Sequence, residues 1–379
     1  MGVMEGVGWK RMRSHSAFLA VILLASVSLR FAFQTCHLNT MGFQAPRDMG
    51  AMRGLASSFL GRSRSRDTTI PIFFYITEMK ASALVFLNIT ATFNPDTPLY
   101  MLTSNATPPK GEILSSLKQL GVKVRYVEHY IHPGSDIEVF RKHYIHRAVN
   151  PLWYERMCFE RFFILKEVAL LEGIDRMAYS DADIALFMDV HDTPFAKFRS
   201  GFVSITQWST YFGLWRFETL QEFCQYMLWF YQRPESEVDD TIHQYGDYIL
   251  YPRDADPKNQ SNYVWQFSDM FMLSAFLQSQ NVSKTTLLDN EDAMKSLVAL
   301  ENPNRLRPPG DESFICESGA HFDSYLDWRM TPRGVLGPYH NGTLLAGIHF
   351  QGPCKDKVVP HVFQKLFPGS APERWQWRR

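Results

Sequence analysis

The 379-residue chain has no excess of charge of either sign, with 39 Lys and Arg against 39 Asp and Glu. That balance argues against nucleic acid as a partner, because affinity for phosphate backbones needs a clustered positive surface. Cysteine is scarce: Cys36, Cys158, Cys224, Cys316 and Cys354 form no Cys-x-x-Cys pair, which argues against a cysteine zinc site. No Gly-x-Ser-x-Gly elbow is present to hold a serine nucleophile, and no repeat of about 20 to 50 residues is visible. After residue 70 no long polar linker divides the chain. Global disorder is excluded, since 45% of residues are hydrophobic and 14% aromatic, enough to bury a large core.

Charge is unevenly placed along the chain. Residues 1–69 hold nine Lys and Arg against three acids, leaving 30 basic and 36 acidic residues beyond them. Lys10, Arg11 and Arg13 precede an uninterrupted apolar or small run over residues 16–29, which Phe31-Ala32-Phe33 extends past Arg30. The run is long for a cleaved signal and close to the roughly 17–20 residues that a bilayer span needs. We expect an uncleaved signal anchor with its basic flank in the cytosol. A buried core helix suits the run less well, because no amphipathic partner segment follows it.

The expected organisation is a cytosolic tail at residues 1–15, a signal anchor at 16–33, a flexible Gly/Ser/Arg-rich stem at 34–69 and a luminal domain at 70–379. This is a single-pass type II arrangement in the Golgi or endoplasmic reticulum membrane. The Arg/Ser-rich stem also suits an organelle transit peptide. Glycosylation sequons at Asn88, Asn105, Asn259, Asn281 and Asn341, all beyond the anchor, favour the secretory route. In an oxidising lumen the four core cysteines are expected to form one or two disulfides, with the pairing open.

From residue 70 the pattern alternates short apolar runs with helical spacing. Residues 70–77, 99–103 and 122–127 read as strands, and residues 111–120 as a helix. A longer helix over residues 157–171 ends at Gly173, a natural C-cap, and residues 176–180 form a strand running straight into Asp181. Such alternation predicts an α/β fold: a mostly parallel, twisted, Rossmann-like sheet flanked by helices, with ligands bound beyond the strand C-termini.

Asp181-Ala182-Asp183 lies at such an end. Two carboxylates spaced i, i+2 after a buried strand share a side if the chain stays extended, and paired hard oxygens suit Mn²⁺ or Mg²⁺. An Asp-capped turn accounts for the motif equally well when it is taken alone. Near the other end, His349, Gly352 and Lys355 stand in the spacing His-x-x-Gly-x-x-Lys. Imidazole ligates Mn²⁺, Gly permits close backbone approach to phosphate, and Lys offers a point charge to a diphosphate. The two motifs explain each other.

On these residues the chain resembles the GT-A nucleotide-sugar glycosyltransferases, and its C-terminal motif resembles the glycogenin-like family 8 group. The resemblance implies that Asp181 and Asp183 hold the metal and donor, that His349 is a third metal ligand, and that Lys355 contacts the diphosphate. Gly352 would line the donor site. It departs from the family where Asp356-Lys357 stands in place of Pro-Trp. The implied partners are a nucleotide-sugar donor, a UDP-sugar by this resemblance, and a glycan, protein or lipid acceptor.

Between the motifs, Trp208, Trp265 and Asp269 are candidates to contact sugar, with core packing and helix capping as the ordinary alternatives. Arg161 could reach donor phosphates or pair with Glu160 or Glu167. Asp269 is the candidate general base should the reaction invert configuration. Two other functions compete. A strand ending in Asp-x-Asp is also the signature of haloacid-dehalogenase-type phosphatases, in which the first Asp is a nucleophile, and a non-catalytic sugar-binding protein could keep the same fold.

Overall fold

A computed structural model describes residues 69–77, 79, 81–148, 150–191, 201–204, 210–245, 247–250, 263–279, 285–287, 298–300, 318–340, 342–350 and 353–369. The expected tail and anchor, residues 34–68 of the stem, Cys36, Cys316, Trp208, Gly352, Asn259, Asn281 and Asn341 lie outside the described residues. Among the described residues no helix is long and apolar enough to cross a membrane.

Strand β1 (Ile72–Tyr75) leads into helix α1 (Ala81–Phe93), and β2 (Leu99–Thr103) into α2 (Gly111–Gln119). β3 (Lys123–Tyr126) is followed by α3 (Asp136–His143), α4 (Leu152–Glu172) and β4 (Arg176–Asp181). Then come β5 (Ile184–Leu186), β6 (Phe202–Ser204), β7 (Phe212–Arg216), α5 (Phe217–Tyr231) and α6 (Glu235–Tyr245). An antiparallel pair, β8 (Asp247–Leu250) and β9 (Tyr263–Gln266), precedes α7 (Asp269–Ser279). The remaining elements are β10 (Thr285–Leu287), β11 (Val298–Leu300), α8 (Gly319–Asp323), β12 (Asp327–Met330), β13 (Leu336–His340), β14 (Thr343–His349), α9 (Pro353–Lys357) and α10 (Val359–Leu366).

The main sheet has seven strands in the order β10-β6-β7-β4-β1-β2-β3. Its pairs are parallel except at β7, which runs antiparallel to both β4 and β6. The expected α/β class with a mostly parallel sheet therefore holds, with β7 reversed within it. Period-two alternation divides the apolar residues between the two faces. Phe73, Met177 and Tyr179 pack with α4, α5 and α7 on one side, while Ile72, Phe74 and Ala178 pack with residues of α1 and α2 on the other.

Helix α4 is buried along most of its length, so each charge on it needs a partner. Glu160 pairs with Arg141 at 2.6 Å and Lys166 with Asp136. Gly173 closes the helix in the left-handed conformation, φ 69°, as its sequence position predicted. The helix starts at Leu152, behind Pro151, rather than at Met157. No side-chain cap marks that boundary, and the sequence reading passes over Pro151, itself a start signal.

Two sequence expectations change here. Cys158 and Cys224 are buried free thiols, so at most one disulfide joins the four core cysteines; Cys354 is disulfide-bonded. The Asn88 sequon lies inside α1 with its Thr90 fully buried, whereas Asn105 sits in an exposed turn after β2.

A second sheet orders β11-β14-β13-β12, and β5 pairs antiparallel with β14, setting His349 opposite Ile184. Gly347 makes this pairing close: a Cβ there would lie 3.2 Å from both the Ala185 carbonyl oxygen and Leu186 Cδ2. Gly347→Val is expected to force β14 from β5 and to cost about 1–3 kcal/mol, as overpacking does. A lower denaturant midpoint with an unchanged m-value would report it.

Candidate active site

Chain direction places the two Asp side chains differently. β4 runs between β1 and β7 and delivers Asp181 at its C-terminal end, level with Tyr75 of β1. The chain then turns through Ala182 and Asp183 into β5, and β5 pairs with the end of β14. Asp183 is thereby brought to His349: the Phe350 amide donates to the Asp183 carbonyl at 2.9 Å, and His349 Nε2 lies 3.1 Å from Asp183 Oδ1. Lys355, from α9, reaches Asp183 Oδ2 at 2.7 Å. Tyr211 stacks on the His349 ring at 4.6 Å and fixes its plane.

Asp181 faces the other way. Its Oδ1 accepts from Arg161 Nη1 at 2.6 Å and from the Tyr179 hydroxyl at 2.6 Å. Arg161 uses its other terminal nitrogen, Nη2, for Asp269 and for the Thr210 carbonyl at 3.3 Å. The sequence alternatives for Arg161, Glu160 and Glu167, are thus not its partners. Asp269, the candidate general base, is a buried member of an ion pair with Arg161 and opens α7.

Electrostatics follow this geometry. Burial pushes the Asp181 carboxyl upward; Arg161 opposes the rise and the Asp183 charge adds to it. Burial also acts against the charge on Asp183, yet the hydrogen bond from His349 and the charges of His349 and Lys355 outweigh it and hold this carboxyl below its ordinary value. Burial disfavours the Arg161 charge, but Asp181, Tyr179 and Asp269 together keep the guanidinium protonated.

These side chains line a cavity of about 630 Å³, within the range of small-molecule sites. The structure thus brings Asp181, Asp183, His349, Lys355, Arg161 and Asp269 to one place; Trp265 lies on β9. Two carboxylates and an imidazole nitrogen are chemically suited to Mn²⁺ or Mg²⁺. They do not form a closed cage. Asp181 Oδ1 is held by Arg161 and Tyr179, and no three His, Cys, Asp or Glu side chains among the described residues are grouped to hold a metal ion.

Sequence reasoning passed over several cavity residues: Tyr179, Tyr211, Ser268 and the run Trp153-Tyr154-Glu155. Tyr179 carried a signal, since i, i+2 spacing on a strand puts it on the same face as Asp181. The others depend on chain segments distant in sequence and carried none.

No family model matches the chain, and no curated protein matches it. Solved structures to which it is similar include the apo form of mouse xyloside xylosyltransferase 1, at 12% identity and TM-score 0.40, covering 68% of this chain and 93% of that one. Another is the galactosyltransferase LgtC in complex with donor and acceptor sugar analogues, at 13% identity and TM-score 0.39, covering 81% and 99%. A third is the apo WbbM bifunctional glycosyltransferase, at 11% identity and TM-score 0.41, covering 81% and 51%.

Proposed function

We propose that the chain is a metal-dependent glycosyltransferase of the GT-A type, moving a sugar from a nucleotide-sugar donor, a UDP-sugar, to a hydroxyl of a glycan, protein or lipid. One observation carries the reading: Asp183, at the C-terminal edge of a mostly parallel sheet, is clasped by His349 at 3.1 Å and Lys355 at 2.7 Å on the wall of a ligand-sized cavity. Asp183 and His349 would hold Mn²⁺ or Mg²⁺, joined by Asp181 only if it turns from Arg161 and Tyr179, since among the described residues the three are not grouped as a metal site; such an ion would neutralise the diphosphate and stabilise its departure.

The protein's own groups divide the remaining work. Lys355, with 39% of its side chain exposed, can leave Asp183 for a phosphate oxygen as a donor binds. Gly352, by resemblance, allows the diphosphate close to the backbone. Both terminal nitrogens of Arg161 are taken, Nη1 by Asp181 and Tyr179 and Nη2 by Asp269 and the Thr210 carbonyl, so its part is to hold Asp181 and Asp269 in place rather than to bind phosphate. Tyr211 keeps the His349 ring in its plane.

The aspartyl-phosphate alternative is not favoured, because the Arg161 charge and the Tyr179 hydroxyl draw negative charge from the Asp181 carboxylate and weaken it as a nucleophile. For the compartment we propose a luminal domain behind the 16–33 anchor, in the Golgi or endoplasmic reticulum; the disulfide at Cys354 supports an oxidising lumen.

Equilibrium binding tests the proposal. The full-length chain is expected to retain UDP or GDP in Mn²⁺ and to lose at least about tenfold in affinity when the metal is chelated. Equal binding with and without metal would overturn the metal role. No nucleotide binding together with trapping of an aspartyl-phosphate would overturn the transferase.

A further inference from the structure

The cavity has a second polar corner that these roles leave unused. Glu155, in the first turn of α4, is 1% exposed. Asn150 Nδ2 donates to its Oε2 at 2.9 Å, while Oε1 has no hydrogen-bond partner among the described residues. Ser268, which immediately precedes α7, is 3% exposed, and its Oγ has none either. Both residues line the cavity. A buried carboxylate oxygen without a donor destabilises a fold, so its retention on a cavity wall needs an explanation.

The same turn of α4 carries the reverse anomaly. Trp153 and Tyr154 are 62% and 42% exposed and meet edge to face at 5.7 Å, and Met270, also exposed, lies on the wall of the same cavity. Exposed aromatics beside buried polar oxygens restrict the chemistry of an occupant. An apolar molecule would cover Glu155 Oε1 with no donor, and an anion would meet Glu155 and Asp269. A neutral ring with hydroxyls on one side and C–H groups on the other satisfies both features.

We infer that Trp153, Tyr154 and Glu155, with Ser268 and Met270, form a saccharide subsite in which Glu155 Oε1 and Ser268 Oγ take sugar hydroxyls and the two rings take its C–H face. Six residues separate Glu155 from Arg161, about 9 Å along the helix axis, so the subsite lies beside the Asp181 centre rather than on it. Naming its occupant as the acceptor sugar rests on the transferase reading.

Burial holds the Glu155 carboxyl up to about 7. The Asn150 and Asp269 amides and the Arg161 charge work against this rise, the Asp269 charge adds to it, and Tyr144, Tyr231 and Cys158 are the other titratable groups that sense it. A carboxyl raised in the fold penalises folding above its unfolded value, and in full above pH 7. Glu155→Gln should therefore melt no lower than the parent chain at pH 8, which separates a binding defect from misfolding.

The test uses methyl glycosides of glucose, galactose and xylose as acceptors for the full-length chain. Glu155→Gln and Trp153→Ala are each expected to raise the saccharide KM about tenfold or more, as loss of a charge-assisted hydrogen bond or a stacking face does, and to shift the Kd for UDP with Mn²⁺ by less than about threefold. Parental KM values in both variants would overturn the subsite, as would an equal weakening of UDP, which would assign this turn to the donor. If the parent chain neither binds UDP with Mn²⁺ nor turns over any donor, the transferase reading falls and tryptophan fluorescence decides the subsite. Quenching by the glycosides that is lost in Trp153→Phe supports it; quenching unchanged in that variant, or absent from the parent, overturns it.

Discussion

Asp183→Ala is expected to lower Mn²⁺-dependent release of nucleoside diphosphate from the donor by at least about 10²–10³-fold, the range seen when one electrostatic stabiliser of departing charge is removed. The size follows from where Asp183 sits. It is the group that both His349 and Lys355 address, so its loss removes the negative charge that would anchor a cation and unties two positive or protonatable side chains. Stability should change far less. Lys355 is part-exposed and can turn to water, and His349 remains stacked on Tyr211. Chelation of the parent chain should produce the same loss, and chelation of the variant no further loss, because on the proposed reading both act on one metal. Full turnover by a folded Asp183→Ala would remove this carboxylate, and the metal with it, from the mechanism.

The strand framework and the first half of the site were legible because they are local. Residues 99–103 read as a strand and form one, Gly173 closes α4, and β4 runs into Asp181 where the apolar run stopped. The His349 motif was also visible. What could not be read was why it matters to Asp183, since that depends on β5 pairing with β14, a contact across more than 150 residues set by tertiary packing. The same limit applies to Asp269. As a residue preceding an apolar helix it looked like a cap or a base, and only the buried path of Arg161 turns it into half of an ion pair. Glu155 gave no warning: an acid in a helix's first turn is ordinary on the surface, and its burial comes from the packing of α7 over α4.

Arg161 carries the largest expected effect on stability. Its guanidinium is wholly buried, donates through Nη1 to Asp181 and Tyr179 and through Nη2 to Asp269 and Thr210, and lies 5.0 Å from the Tyr179 ring centre. Arg161→Met preserves the length of the side chain and removes the charge, leaving the buried Asp269 and the half-buried Asp181 without a cation. Breaking a buried pair by deleting one partner costs about 3–5 kcal/mol, a large share of the 5–15 kcal/mol typical of a domain. Arg161→Lys should recover little, since a single ammonium cannot reproduce the fork that spans both acids. The deficit should shrink as pH falls, because carboxyls left unpaired have raised pKa values, and protonating them relieves the charge that opposes folding. Adding Asp269→Asn to Arg161→Met should restore part of the loss for the same reason. Denaturant midpoints across pH, read as a double-mutant cycle, measure each step. A loss below about 1 kcal/mol that is flat with pH would mean that water already reaches this cluster, and Asp181 would then owe its position to the end of β4 alone.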